Sequence, residues 1–358
     1  MTPSNTPPLP GLDLSPPLAI AVVLGVIAVA LYAVRAHRRR QHREERRRLG
    51  WFMTRCQKLL RGEIRDAELD RDAAATTEGE FWTALERLSM RWRRSDWGRL
   101  SRALENVRYA PTERRSLRDD SPWRQVLAAR RLAMLRSRAN RSALRAAMVR
   151  GPEITTHACA MALARYRDIA ALRWLLHNPD RIARRPRFAT RALLAGFGPR
   201  GRAELVAALD AGITAQPVER AVMDTLGMLK ERAARPALEQ RLGSPDLELR
   251  VAAARALGRI QAVESGTLLL AALRDESWAV RAHAARALGE ARVVLAVEPL
   301  AARMSDPVWW VRHHAAYALA DLGEEGQAML RAVLRSSPDP YARDMAREAL
   351  DGGPRLAA

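Results

Sequence analysis

The sequence contains only two cysteines, Cys56 and Cys159, and only 5% aromatic residues among its 358 positions. Two cysteines cannot build a disulfide framework and are too few for a structural zinc site. Glycine and proline, at 20 residues each, are too few for a collagen-like or low-complexity chain. Apolar residues make up 48% of the sequence, which excludes a mostly disordered chain. The length predicts either two ordinary domains or one elongated repeat array.

Acidic residues are scarce in the first half of the chain, which makes the charge distribution asymmetric. The formal net charge is +20, with 60 Lys+Arg against 40 Asp+Glu. Residues 1–199 hold 39 basic and 19 acidic residues, whereas residues 200–358 hold 21 of each. A cationic half beside a neutral half indicates that the two halves face different partners.

Charged residues are absent from residues 18–34, which read LAIAVVLGVIAVALYAV. An extension back to Leu14 gives about 20 residues, enough for a helix to cross a hydrocarbon core near 30 Å. A cleaved signal peptide would need basic residues before the apolar run, but residues 1–17 contain none. A buried core helix is the other alternative. The pattern favours a transmembrane helix over residues 18–35 behind a short extracytoplasmic tail, residues 1–17.

An arginine-rich block follows, because residues 35–48 carry eight arginines and two glutamates. By the positive-inside rule we expect a single-pass protein of the inner membrane, with the N-terminus outside and the C-terminal domain in the cytoplasm. Both cysteines would then be free thiols. Setting this topology is a sufficient role for the block, and contact with anionic lipid is a second one. The candidate residues for that contact are Arg35, Arg38, Arg39, Arg40 and Arg43.

One pattern recurs every 31 residues toward the C-terminus. Residues 250–258 read RVAAARALG, residues 281–289 read RAHAARALG, and residues 312–319 read RHHAAYAL. A fourth copy, RDMAREAL, starts at Arg343. A fixed period of this length is typical of stacked supersecondary units.

Within each period the residues predict a helix, a turn and a second helix. Asp275 and Asp306 lie six residues before the repeated arginine and suit N-caps. Small apolar residues follow the arginine at helical spacing, and a glycine such as Gly289 ends the first helix. A second apolar stretch, such as residues 295–304, supplies the second helix.

These repeats resemble the HEAT-repeat family, in the short HEAT-like form named for phycobilisome lyases. The resemblance implies an all-α fold, an α-solenoid of stacked helical hairpins behind the N-terminal transmembrane helix. It covers residues 217–350 well and residues 122–216 only in apolar spacing. Residues 36–121 follow no clear 31-residue step, so we expect a basic, helical juxtamembrane region and N-terminal cap there, and a short tail over residues 351–358.

The resemblance also implies a ladder of Asp–Arg hydrogen bonds between neighbouring units. The six-residue spacing fits Asp275 with Arg281 and Asp306 with Arg312. Glu219 stands where the arginine would be one repeat earlier, so the ladder is not expected before Arg250. The predicted ladder residues are Asp275, Arg281, Asp306, Arg312, Arg250 and Arg343.

The histidines are the first candidates for a catalytic or metal-binding site. His313 and His314 are adjacent and cannot share one helix face, whereas His283 and His314 are one repeat apart and should lie side by side. The deoxyhypusine hydroxylases, which are HEAT-like enzymes, hold iron with His-Glu pairs, and the sequence has no such pair to carry over. We therefore expect no enzyme activity, no metal and no cofactor.

Aromatic, histidine and arginine side chains recur at equivalent positions of successive repeats. Such residues are enriched in interface hot spots, and their helical spacing predicts one outward ridge that binds a protein partner. The alternative is that the tryptophans fill gaps between repeats, with Trp310 the one most expected to face outward. The predicted partner-binding residues are Trp278, His283, Arg286, Trp309, Trp310, His314, Tyr317 and Tyr341.

A second basic patch spans residues 181–191, RIARRPRFATR. A solvated surface is the usual explanation for such a run, but Arg184, Arg185 and Arg187 are candidates for contact with a membrane surface. We favour anionic lipid over nucleic acid, because nucleic acid would need a basic groove with stacking aromatics.

Together these features predict a non-catalytic, membrane-tethered HEAT-repeat scaffold that binds a protein partner at the cytoplasmic face of the inner membrane. Two alternatives remain. One is a nucleic-acid-binding protein that uses the basic N-terminal half. The other is a HEAT-like enzyme such as a bilin lyase.

Overall fold

The computed structural model describes residues 16–89, 94–105 and 107–352. Over these residues the chain is helical, with turns and no strand. It divides into two compact units, Met1–Tyr109 and Ala110–Ala358. The prediction of an all-α solenoid is confirmed for the helical repeats.

The first unit is a small helical assembly with its own core. Phe81 lies between Phe52 and Tyr109, with ring centroids 5.8 Å and 5.1 Å away. Cys56 is buried beside this core as a free thiol, and burial raises its pKa to about 12. Arg55 donates a hydrogen bond to Asp72 over 2.5 Å, which joins the first two helices. The helices of this unit are α1 (Pro16–Arg61), α2 (Asp66–Ala74), α3 (Glu78–Ser89) and α4 (Arg94–Ala103).

The prediction of a membrane anchor is wrong on this structure. No helix among the described residues combines the length and the apolar content that a membrane span needs. In α1 the uncharged residues 18–34 run directly into the arginine block, and 17 residues rise only about 26 Å, short of a hydrocarbon core of about 30 Å. The inner-membrane location and the orientation that depended on this anchor are therefore also overturned. Residues 1–15, including the extension to Leu14, lie outside the described residues.

The second unit is a stack of helical pairs. In each pair a first helix, a tight turn and a second helix follow one another, and the first helices α11, α13, α15, α17, α19 and α21 pack successively side by side. The helices are α5 (Tyr109–Ser116), α6 (Pro122–Leu132), α7 (Arg138–Arg150), α8 (Glu153–Arg165), α9 (Ile169–His177), α10 (Asp180–Ala183), α11 (Arg187–Ala195), α12 (Gly198–Ala211), α13 (Gln216–Met228), α14 (Arg235–Leu242), α15 (Leu247–Arg259), α16 (Gly266–Ala272), α17 (Trp278–Glu290), α18 (Val297–Arg303), α19 (Trp309–Asp321), α20 (Glu324–Ser336) and α21 (Pro340–Leu350).

Glycine allows neighbouring first helices to approach closely. A Cβ atom added to Gly289 would lie 2.7 Å from the Cα of Ala318 on the next first helix, and one added to Gly258 would lie 2.8 Å from the Cα of Ala287. Real Cβ atoms do not come so near to backbone, so only glycine fits at these crossings. The prediction that a glycine such as Gly289 ends the first helix is wrong, because α17 continues to Glu290 and Gly289 is a packing residue inside its last turn.

A left-handed turn ends the first helix of each pair. The residues in this turn have φ between +52° and +77° in five successive pairs, at equivalent positions of the repeat. They are Gly198, Lys230, Gln261, Arg292 and Gly323. In the turn after α15, the amide of Gln261 donates to the carbonyl of Gly258, and the amide of Ala262 to that of Leu257. The last helix carbonyls are therefore capped by backbone amides.

Asp275 and Asp306, which the sequence predicted as N-caps, do not cap their helices, whereas Asp246 and Asp339 do cap α15 and α21. Ser277 and Val308 precede α17 and α19 directly, and the carboxylates of Asp275 and Asp306 accept hydrogen bonds from the amides of those two residues. Each aspartate thus closes a short turn three residues ahead of its helix, rather than satisfying the amides of the first helical turn.

The arginine ladder connects one repeat to the next. Arg281 donates to the Asp306 carboxylate of the following repeat at 2.9 Å and 3.0 Å, and to the backbone carbonyl of Asp275 in its own repeat at 3.0 Å. Arg250 is likewise 2.9 Å from the carboxylate of Asp275. The sequence pairing of Asp306 with Arg312 involves only the Asp306 carbonyl, which lies 2.8 Å from Arg312. Arg343 bonds the carbonyls of Ser337 and Pro338.

We expect Arg281→Ala to lower the free energy of unfolding by about 1–3 kcal/mol, because it leaves the nearly buried Asp306 carboxylate without its main partner. Urea unfolding followed by circular dichroism measures this loss. The matched control is Arg274→Ala, an exposed arginine in the segment between α16 and α17, which should change stability by less than about 0.5 kcal/mol. Equal stability of the two variants would contradict the ladder.

Candidate partner-binding face

Large apolar residues at the start of successive first helices form a row, here called the aromatic row, that consists of Leu247, Trp278 and Trp309 at the first helical position and Tyr341 at the second position of α21. Leu247 is 40% exposed, Trp278 is 45% exposed, and Tyr341 is 65% exposed, while Trp309 is half-buried. The Asx turns before α17 and α19 place each side chain at the start of its helix. Arg312 also lies over the Tyr341 ring, 5.3 Å from its centroid. The stack therefore presents large apolar groups to solvent at the start of its last first helices.

Trp309 and Trp310 belong to one aromatic cluster at the start of α19. Trp309 stacks on His313 with ring centroids 4.8 Å apart, and Trp310 stacks on His314 at 6.1 Å. The two tryptophans meet edge to face at 4.9 Å. Both are half-buried, so the expectation that only one of them turns outward does not describe the structure.

His283, His314 and Tyr317 do not form an outward ridge. All three are buried between neighbouring first helices. The rings of His283 and His314 lie 6.4 Å apart and are nearly parallel, as their 31-residue separation predicts. The Tyr317 hydroxyl donates to the Glu348 carboxylate at 3.2 Å. These side chains join adjacent repeats, because a first helix is covered by a neighbour on each side.

Burial also sets the protonation state of the two histidines. Desolvation, followed by the nearby guanidinium of Arg255, lowers the pKa of His283 to about 4. Desolvation and the neighbouring His313 lower the pKa of His314 to about 4. Both imidazoles are thus neutral at pH 7, which is consistent with their packing role.

The face formed by the first helices also contains a buried carboxylate, Asp224, which was not among the residues predicted from the sequence. Asp224 on α13 has no exposed side-chain surface and accepts hydrogen bonds from Arg255 on α15 at 2.6 Å and 3.1 Å. Arg187 lies 3.2 Å and Arg259 3.9 Å from this carboxylate. The available signal was the 31-residue separation between Asp224 and Arg255, which places opposite charges at equivalent positions of neighbouring helices.

The arginines predicted to meet a membrane surface have different environments. Arg187 neutralises Asp224, and Arg185 lies 3.1 Å from the Glu153 carboxylate. Arg184 is exposed. The arginines of α1 are exposed as well, and they are Arg35, Arg38, Arg39, Arg40 and Arg43. Contact of these residues with anionic lipid stays a prediction.

A groove of about 630 Å³ runs across the turns at the ends of α13, α15, α17 and α19. Its floor contains the close-packed glycines, and its rim contains the left-handed turn residues. Arg286 is half-buried and donates to Glu290 at 2.8 Å, which fixes one wall of the groove. The lining residues are Gly227, Met228, Lys230, Gly258, Arg259, Gln261, Gly289, Glu290, Arg292 and Asp321. Within the described residues, no group of three or more His, Cys, Asp or Glu side chains could hold a metal ion.

Comparisons with known proteins agree with the repeat architecture. A family model described as HEAT repeats matches residues 202–275 and 266–351. No curated protein matches the chain. Among solved structures, the chain is similar to the phycocyanin lyase complex of Nostoc sp., with 20% identity over 59% of this chain and 94% of that chain and a TM-score of 0.34.

Two further solved structures are similar to the chain. Human deoxyhypusine hydroxylase shows 17% identity over 84% of this chain and 96% of that chain, with a TM-score of 0.30. Kap121p shows 12% identity over 79% of this chain and 43% of that chain, with a TM-score of 0.39. The family model described as HEAT repeats thus matches residues 202–351, the part of the chain in which the structure shows the most regular stack of helical pairs.

Proposed function

We propose that the chain is a non-catalytic scaffold that binds a protein partner through the face formed by the first helices of its HEAT repeats. Stacked helical repeats of this kind generally mediate protein binding, since they offer long surfaces built from equivalent positions. The aromatic row is the part of the face that contacts the partner first. The ladder and the buried histidines hold the repeats in register beneath it.

The observation that carries this proposal is the exposure of the aromatic row. Trp278 and Tyr341 leave large apolar surfaces in water at the start of α17 and α21, on either side of the half-buried Trp309 of α19. Tryptophan and tyrosine contribute most to binding when a partner desolvates them, and they are the residue types most enriched in hot spots. A row of them on rigid helix ends supports a preorganised binding surface.

The histidines support binding rather than catalysis as the activity of this face. His283 and His314 are neutral, buried and stacked between helices, so their rings serve as packing groups. The arginines around Asp224 are similarly engaged in holding a carboxylate of the fold. The residues that would be candidates for chemistry are therefore occupied by structural contacts.

Site-specific photo-crosslinking tests where the partner binds. p-Benzoylphenylalanine replaces Trp278 in the full chain within its source cells, and the cross-linked protein is identified by mass spectrometry. The matched control carries the cross-linker at Trp123 on α6, which is 75% exposed and lies outside the aromatic row. We expect one abundant adduct from position 278 that is absent from position 123, because only the first group touches the partner.

The opposite pattern would contradict the proposal. Adducts from position 123 with none from position 278 would locate the binding surface elsewhere in the second unit. The same mixture of abundant cellular proteins from both positions would show that Trp278 is merely exposed. Neither result depends on the groove at the C-terminal ends of the first helices.

A further inference from the structure

Three long polar side chains occupy positions where glycine is preferred. Lys230, Gln261 and Arg292 have φ of +52°, +56° and +56°, in a conformation that L-residues seldom adopt. The flanking pairs have Gly198 and Gly323 at the equivalent position. A fourth such residue, Arg167 with φ of +53°, lies one repeat before Gly198 and outside the groove. Non-glycine residues in such conformations persist where the surrounding structure uses them, and they cluster at ligand-binding sites. The three side chains are therefore candidates for a shared role.

These side chains meet in one place. All three are exposed and line the groove at the ends of the first helices. Within the described part of the chain, the side chains of Lys230 and Arg292 have no hydrogen bond or ion pair. The carbonyls at these helix ends are already capped by backbone amides, so the two cations are not needed to satisfy them. Their charges are free to meet a ligand.

The remaining charges of the groove give it a net positive character. Arg259 adds a third cation, partly held by Asp224 at 3.9 Å. Of the two acidic groups, Glu290 is already paired with Arg286 at 2.8 Å. Asp321 lies at the end of α19. The three cations Lys230, Arg259 and Arg292 extend from the turn after α13 to the turn after α17, and the acidic group lies beyond them.

We propose that this groove binds an extended, acidic peptide segment of the protein partner, with carboxylates bound by Lys230, Arg259 and Arg292. This inference rests on the proposed function and names the chemistry of the partner. Neighbouring helix axes lie about 8–10 Å apart, and an extended peptide in the polyproline II conformation covers that distance in about three residues, with every third side chain on the same face. Acidic residues at every third position would therefore reach successive turns, while Gln261 can bond the peptide backbone between two cations.

The mixed charges of the groove favour a peptide over a nucleic acid. A nucleic-acid backbone carries a negative charge at every unit and would meet the Asp321 carboxylate as well as the cations. A peptide can vary its charge from residue to residue, so it can place an uncharged or basic side chain beside Asp321. Carboxylates also form strong charge-assisted hydrogen bonds with guanidinium groups such as Arg292.

Fluorescence anisotropy with a defined probe tests the inference. The probe is a fluorescein-labelled ten-residue peptide with glutamate at every third position among glycine and serine, and its lysine counterpart and a ten-nucleotide oligothymidylate are the comparison probes. The full chain is compared with the double variant Lys230→Gly/Arg292→Gly. We expect the double variant to bind the acidic peptide at least tenfold more weakly and to melt at a temperature no lower than the parent, because glycine relieves the left-handed turns.

The control variant removes the same charge elsewhere in the second unit. Arg331→Gln/Arg347→Gln takes away two exposed arginines outside the groove and should leave the affinity within about twofold. An equal loss in this control, or no binding of the acidic peptide by the parent chain, would overturn the inference. Tighter binding of the oligothymidylate through Lys230 and Arg292 would also overturn it in favour of nucleic acid.

Failure here is distinguishable from failure of the proposed function. The cross-linking experiment reports on the aromatic row at the start of the first helices, whereas the peptide titration reports on the turns at their ends. A specific adduct at Trp278 without acidic-peptide binding would keep the scaffold and remove only the acidic segment.

Discussion

Asp224→Ala is expected to lower the free energy of unfolding by about 3–5 kcal/mol. The substitution removes the fully buried carboxylate that Arg255 and Arg187 contact. The mostly buried guanidinium of Arg255 then loses its partner and stays close to the half-exposed Arg187. Arg259 loses its 3.9 Å neighbour at the same time. Breaking a buried pair by removing one partner is more costly than losing an exposed pair, because the remaining charges stay desolvated.

Urea unfolding of the variant and a matched control measures this effect. Asp344→Ala breaks an ion pair with Arg347 in which both side chains are mostly exposed, so it should cost less than about 1 kcal/mol. The double variant Asp224→Ala/Arg255→Ala should be more stable than the sum of the two single losses predicts, since the two residues are coupled. If the loss in the double variant equals the sum of the two single losses, or if Asp224→Ala costs less than about 1 kcal/mol, the charged cluster around Asp224 does not stabilise the stack.

Gly289→Leu should destabilise the repeats by about 3 kcal/mol or more, and Gly289→Ala by a smaller amount. Even the first added carbon would lie 2.7 Å from the Cα and 2.8 Å from the Cβ of Ala318, so α17 and α19 must separate. The separation would also disturb the stacked rings of His283 and His314 on the same two helices. Thermal unfolding monitored by circular dichroism gives the change in stability.

The control for this crossing is a glycine with room around it. A Cβ atom on Gly243 would have its nearest neighbour, the carbonyl oxygen of Gln240, at an ordinary 3.7 Å. Gly243→Leu should therefore change stability by less than about 0.5 kcal/mol. If both leucine variants unfold alike, the close approach of the first helices is not what requires glycine at position 289.

The 31-residue period made much of the fold predictable. It identifies equivalent residues in neighbouring repeats, and equivalent residues on stacked helices lie side by side whatever their chemistry. The contact between His283 and His314 follows from that alone. The period does not reveal which side of a helix faces its neighbour, so the same residues were wrongly expected to be exposed.

The partners of the charged residues were also only partly predictable from the 31-residue period. Arg281 has one aspartate six residues before it and another 25 residues after it, and both spacings recur along the chain. In the structure the side chain bonds the carbonyl of the first and the carboxylate of the second. Only the relative rise of neighbouring helices decides between these partners, and no local sequence pattern encodes it.

The left-handed turns were equally hidden in the sequence. Lys230 and Arg292 have no turn signature of their own, since glycine or asparagine is the residue type that announces such a turn. Alignment of the repeats places them opposite Gly198 and Gly323, which is the one signal that could have identified them. The prediction of a membrane anchor was wrong for a different reason. Composition identifies the apolar run, but it does not show that one helix continues from this run into the arginine block.

Calorimetric titration of the full chain with the partner cross-linked at Trp278 tests the central claim most directly. If the aromatic row binds that partner, Trp278→Ala should weaken binding by at least about 30-fold, which corresponds to about 2 kcal/mol for a buried tryptophan hot spot. Trp123→Ala should leave the affinity unchanged. Unchanged affinity for Trp278→Ala, or an equal loss for Trp123→Ala, would contradict the assignment of this face as the binding surface.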